Sequence, residues 1–104
     1  TELMGPVWEP LFGEKLKSSG IEYVPQYYSC GYYLDFAIFQ NGQKINIEVD
    51  GETYHRDTDG ALRKEDVYRD QILKADGWRV QRFWIYELRE DIEKCLKTIR
   101  TMLE

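Results

Sequence analysis

YYLDFAIFQNGQKINIEVD, residues 32–50, decides how this chain folds. Asn41-Gly42 at its centre is the strongest short-range signal for a two-residue type I′ turn, in which both residues take positive φ to match the strand twist. Side chains alternate on either side of it, so Tyr32–Phe39 and Gln43–Asp50 are expected as the arms of a hairpin. If Gln40 and Gln43 close the loop, the whole register follows. Asp35 lies opposite Glu48, and Tyr33 opposite Asp50. Leu34, Phe36 and Ile38 then share a core face with Val49, Ile47 and Ile45, while Asp35, Glu48 and Asp50 stand together on the other. Asp35 and Glu48 form a non-hydrogen-bonded pair, the closer of the two kinds, with Cβ atoms ~5 Å apart.

Like charges directly opposite on a sheet destabilise it, and near a core they raise one another's pKa. A divalent cation would relieve both effects, and carboxylate oxygens in this number suit Mg²⁺, with Mn²⁺ as a substitute. A hydrated outer sheet face accounts for the same alternation without any metal. His55, the single histidine of the chain, follows this strand closely. It is either an ordinary loop residue or, with a pKa near neutrality, a proton shuttle beside the acidic cluster.

Outward from the hairpin, Val7–Lys17 reads as a helix through Leu11, Phe12 and Leu16, with Pro10 tolerated in its first turn. Ile21–Tyr28 reads as a strand whose Pro25 suits an edge or a bulge. Ala61–Asp76 reads as a helix capped by Asp59 and ended by Gly77. Arg79–Tyr86 is a further strand, and Asp91–Leu103 an amphipathic closing helix. The expected fold is α/β, in the order αβββαβα. A right-handed crossover makes the last strand parallel to the third, in a mixed sheet with helices on its faces. On the helix from Ala61, an arc of Ala61, Leu62, Tyr68, Ile72, Leu73 and Ala75 is expected to face the sheet, with Glu65 and Arg69 inside it. Arg69 either snorkels beside Glu65 or reaches the carboxylates or a phosphate, flanked by Asp66 and Asp70.

The chain of 104 residues suits one small domain, residues 1–104, and opening on Thr1 is what a piece of a longer protein would show. With 42% apolar and 32% charged residues it belongs with soluble globular chains, not disordered ones. No apolar run approaches the ~20 residues of a membrane span, and no signal peptide opens the chain, so a cytoplasmic location is expected. Cys30 and Cys95 have no CxxC partner and read as free thiols of a reducing compartment. The net charge of −5 opposes bulk attraction to nucleic acid. The charge is uneven, though: Glu48, Asp50, Glu52, Asp57 and Asp59 crowd one stretch, and Arg63, Lys64, Arg69, Lys74, Arg79 and Arg82 the next. That is the pattern of a cation site facing a phosphate backbone, and also of a solvated charged surface. The echo of a calcium loop at His55–Asp66 fails, because it lacks the first acidic ligand and follows a strand.

Tyr33-Leu34-Asp35-Phe36-Ala37, Ile47-Glu48-Val49-Asp50-Gly51-Glu52, Tyr54-His55-Arg56-Asp57, Arg69-Asp70 and Gly77-Trp78-Arg79-Val80-Gln81-Arg82-Phe83-Trp84 follow one another in this order and spacing. Together they resemble the very-short-patch-repair-like branch of the PD-(D/E)xK nucleases. The nearest likeness is to small restriction-endonuclease-like domains that stand alone or at the C-terminus of bacterial superfamily 1 DNA helicases. The resemblance runs from about Trp8 to the end of the chain. It implies a metal-dependent endonuclease acting on DNA, with a covalently linked helicase as a possible neighbour. Asp35 matches the first metal aspartate and Glu48 the second acidic position, with the Val49 carbonyl as a further metal ligand. Asp50 occupies the place where many relatives carry the motif lysine. His55 matches a catalytic histidine, and Glu9 an acidic residue on the first helix. Arg69, Arg56 and Gln26 match phosphate- or DNA-contacting positions, and Asp66 and Glu65 supporting ones. Because the lysine is replaced, a second reading stands beside the first: a degenerate nuclease fold that grips DNA for an attached enzyme. RNA is a third, since the fold does not select the substrate.

Overall fold

The computed structural model describes residues 8–51 and 62–104. Helix α1 (Trp8–Ser18) leads into strands β1 (Val24–Ser29), β2 (Tyr32–Gln40) and β3 (Gln43–Asp50). Helix α2 (Lys64–Ala75), strand β4 (Trp78–Trp84) and helix α3 (Ile85–Leu103) complete the order. The four strands form one mixed sheet, β1-β2-β3-β4, antiparallel except for the parallel β3–β4 pair across α2. Fold class and strand order are those expected.

The turn is the reason the centre of the sheet was readable. Asn41 and Gly42 take φ of 54° and 75°, and Gln40 pairs with Gln43, so the two-residue loop sets the register of β2 against β3. Phe36, Ile38, Ile45, Ile47 and Val49 turn to one face, where Phe12 and Leu16 of α1 and Leu96 and Ile99 of α3 close over them. Leu34, Ala37, Leu73 and Trp78 form a smaller cluster on the opposite face, under α2. No described helix is long and apolar enough to cross a membrane.

Several expectations need correction. The last strand ends at Trp84, because Glu87 accepts the Trp84 N–H at 2.8 Å and starts a helix where the apolar run suggested more strand. That helix breaks at Asp91 (φ −159°, ψ 84°), whose Oδ1 accepts the Lys94 N–H at 3.1 Å and restarts it. Helix α2 is described from Lys64, with Arg63 before its first turn; the expected cap Asp59 lies outside the described residues. Its expected inner arc holds in part: Leu73 is buried and Arg69 faces the sheet, but Tyr68 is 61% exposed and Glu65 and Ala75 are exposed too. Asp66 and Asp70 join the inner face, because Arg82 meets them there. Both cysteines are free, and burial pushes the Cys95 thiol up to about 11, which leaves it protonated and inert.

Candidate active site

Strands β2 and β3 stop pairing through their backbones at Phe36 and Ile47, and the side chains of the next rung take over. The Asp35 N–H donates to Glu48 Oε2 at 3.1 Å, and the Val49 N–H donates to Asp35 Oδ2 at 3.3 Å. Each carboxylate therefore occupies the place of a backbone carbonyl of the opposite strand, which wedges the strands apart while satisfying their amides. On the β1 side the ladder runs Pro25–Phe36 and Tyr27–Leu34, with Gln26 between at φ 50°. Gln26 Nε2 reaches Asp35 Oδ1 at 3.4 Å. The alternation slips at this rung. Leu34 joins the Ala37–Trp78 cluster instead of the Phe36 face expected of it, and the expected Tyr33–Asp50 rung is not formed, because the β2–β3 ladder ends at Phe36–Ile47.

Glu48 is only 4% exposed. Burial, followed by the charge of Asp35, pushes its carboxyl up to about 8, against the pull of the Arg69 charge and the Asp35 N–H. Arg69 Nη2 lies 2.7 Å from Glu48 Oε2 and 3.0 Å from the Tyr33 carbonyl, and its guanidinium sits 5.2 Å over the Tyr32 ring. Its Nε is buried without a hydrogen bond, as are both amide atoms of Asn46, the next residue inward on the Glu48 face. Asn46 favours the ionised Glu48 only as the smallest influence on it, without a well-aligned hydrogen bond. Among the described residues the site thus holds unspent polar atoms. Between pH 4.5 and about 8 the folded chain keeps a proton on Glu48 that the unfolded chain releases. This stabilisation is complete below 4.5 and fades as pH climbs to about 8. In a chelator, the melting temperature of the wild type should fall across that window and that of Glu48→Gln should fall less. Parallel profiles for the two proteins would refute the assignment.

Asp50 does not stand free beside the other two carboxylates, as the hairpin register suggested. Arg82 of β4 donates through Nη1 to Asp50 Oδ2 at 2.6 Å, and through Nε and Nη2 to both oxygens of Asp70 at 2.8 Å. Asp66 completes the ring at 3.8 Å. Burial opposes the Arg82 charge, but its hydrogen bonds to Asp70 and the charge of Asp50 outweigh it and raise its pKa. The sequence assigns Arg82 no site role and Asp70 only a place flanking Arg69. Arg82 aligns with Glu48 across the parallel β3–β4 pair, a register set by the α2 crossover and not by any turn. The one signal is that Arg82 is the single charged residue on the strand face it shares with Trp78, Val80 and Trp84. Glu65, expected beside Arg69, is exposed, and Arg69 pairs with Glu48 in its place.

The Glu9 side chain, His55 and Arg56 lie outside the described residues. Among the described residues no three His, Cys, Asp or Glu side chains gather into a metal cage. The donor chemistry still fits a hard divalent cation. Mg²⁺ is commonly held by one or two carboxylates with water filling the other positions. Burial, and after it the Asp35 charge, raises the Glu48 pKa, and the Arg69 charge offsets this only in part.

A four-stranded mixed sheet between helices, parted by an aspartate–glutamate pair, is the architecture of a restriction-endonuclease-like fold. The model of the restriction-endonuclease-like family REase_MTES_1575 matches residues 9–103, and the chain belongs to that family. No curated protein and no solved structure matches the chain.

Proposed function

We propose that this domain is a metal-dependent endonuclease that hydrolyses phosphodiester bonds in DNA. The observation that carries the reading is the reciprocal lock of Asp35 and Glu48 onto each other's strand. It holds two acceptor groups at one point without a regular ladder to spend them on. Asp35, Glu48 and the Val49 carbonyl are the groups we assign to Mg²⁺, with Mn²⁺ as substitute. When bound, such a cation supplies Lewis acidity toward a phosphoryl oxygen and a lowered pKa for a coordinated water. The Asp35 N–H orients Glu48, and Arg69 offsets negative charge at the site. Gln26 donates to Asp35, and we assign it a DNA contact on the motif order alone. We assign His55 the proton transfer, Glu9 an acidic supporting role and Arg56 a phosphate contact, on the motif order alone. Asp50, held by Arg82, is a positioning residue in this scheme. The very-short-patch-repair-like branch and a linked helicase rest on the same motif order.

One observation favours the second reading, a DNA-gripping module without catalysis. The motif lysine is absent, and the described arginines nearest the site are already bound to carboxylates. Incubating the domain with supercoiled plasmid in Mg²⁺, Mn²⁺ or EDTA separates the two. Nicking that requires the metal supports the enzyme; DNA bound but intact under every metal supports the module. A matching RNA substrate tests the choice of nucleic acid.

Metal should also stabilise the fold. A cation at a hundredfold excess over its Kd adds ~2.7 kcal/mol, roughly 10 °C or more for a domain of this size. The rise should shrink in Asp35→Asn. A melting temperature unmoved by saturating Mg²⁺ and Mn²⁺ would count against a metal site here.

A further inference from the structure

Tyr28 of β1 and Tyr33 of β2 are cross-strand partners whose rings meet at 4.9 Å and 55°. They are 60% and 62% exposed, so neither core uses them. Their position is nevertheless held from two sides. Arg69 of α2 binds the Tyr33 carbonyl at 3.0 Å and lies over Tyr32, and Trp78 of β4 donates through Nε1 to Ser29 Oγ at 3.2 Å. Exposed aromatic area costs free energy in water, and here it is kept on a braced hairpin instead of being buried or replaced. Tyr27, Tyr32 and Leu34 turn to the α2 face, so Tyr28 and Tyr33 lie on the other face of the same two strands.

We propose that the Tyr28–Tyr33 rung is a stacking platform for the bases of an unpaired DNA strand. The proposal takes its occupant from the nuclease reading above and narrows the substrate to DNA with a single-stranded segment. Charge argues for that occupant. The chain carries −5, and Arg69 and Arg82 are committed to Glu48, Asp50 and Asp70. A duplex brings two charged backbones to such a surface and hides its base faces in its own stack. An unpaired strand brings one backbone and offers a π-face at every base, and stacking on tyrosine needs no positive charge. Rings that are rigid before binding lose little freedom when they stack.

The test uses the whole chain, a fluorescent oligothymidylate and a duplex of equal length, with anisotropy read in EDTA. The single strand should bind more tightly than the duplex. Tyr28→Ala/Tyr33→Ala should weaken single-strand binding by about 10- to 100-fold. Its melting temperature should stay close to wild type, since the rings are exposed. Tyr28→Phe/Tyr33→Phe keeps the rings and should bind as the wild type does. A duplex bound as tightly as the single strand, no single-strand binding at all, or an alanine variant that binds like wild type would overturn the platform. Cleavage in Mg²⁺, followed in parallel, keeps the two ideas apart. Cutting by the wild type with no effect of the alanines removes the platform and leaves the nuclease. Ring-dependent binding with no cutting leaves the platform and removes the nuclease.

Discussion

Asp35→Ala and Glu48→Gln should each reduce metal-dependent nicking by ~10³-fold or more, while the protein stays folded and still binds DNA. Losing a ligand forfeits several kcal/mol of charge stabilisation in the transition state, at ~1.4 kcal/mol per tenfold in rate. Glutamine preserves the shape of Glu48 and an oxygen to accept the Asp35 N–H, so the wedge between β2 and β3 survives. Neither carboxylate attracts a phosphate backbone, and removing one relieves some repulsion, so affinity should hold or rise slightly. His55→Ala should be slower by ~10² to 10⁴-fold without being inert, as expected where general acid–base help is lost. Nicking is read on supercoiled plasmid, affinity by anisotropy, folding by circular dichroism. Wild-type nicking rates in Glu48→Gln would sink the assignment of this pair as the catalytic centre.

The largest stability effect should come from a residue outside that pair. Arg82→Met removes the cation that joins Asp50 and Asp70, and Asp50 is 1% exposed. Breaking a buried ion pair by deleting one partner costs ~3–5 kcal/mol, because the other charge is left buried without compensation. At ~4–8 °C per kcal/mol, the melting temperature should drop by tens of degrees, or the variant should fail to fold. Adding Asp50→Asn and Asp70→Asn to Arg82→Met should recover part of the loss, since the orphaned charges then disappear with their partner. A thermal shift of only a few degrees for Arg82→Met alone would show that water compensates the carboxylates and that the network is superficial. The comparison bears on function too. In this fold the departure at Asp50 is answered by an arginine from the neighbouring strand, so the acidic residue in the lysine position does not add a bare charge to the site.

The hairpin and what hangs from it were legible because the information is local. Asn41-Gly42 accepts positive φ at both positions, strand side chains alternate with a period of two, and these facts alone bring Asp35 to Glu48. The same local rules located Gly77 at the end of α2, where its φ is 93°. They failed where a second element had a say. The alternation at Leu34 slips where β2 and β3 stop pairing, and Leu34 packs with Leu73 of α2 and Trp78 of β4. The helical wheel turns Arg69 and Leu73 of α2 inward as found, but it also turns Tyr68 and Glu65 inward, which are exposed, and leaves out Asp70, which meets Arg82. Helical spacing reports which residues share a face, not what that face will meet.

By itself, then, the sequence determined the order of elements, the hairpin register and the meeting of the two carboxylates, all within a span short enough for turn geometry to govern. Only the tertiary structure decided how the charges are shared out. Arg69 goes to Glu48, and Arg82 goes to Asp50 and Asp70. Those pairings join β3 to α2 and β4 across a parallel crossover, whose register no turn dictates and which packing against both faces of the sheet selects.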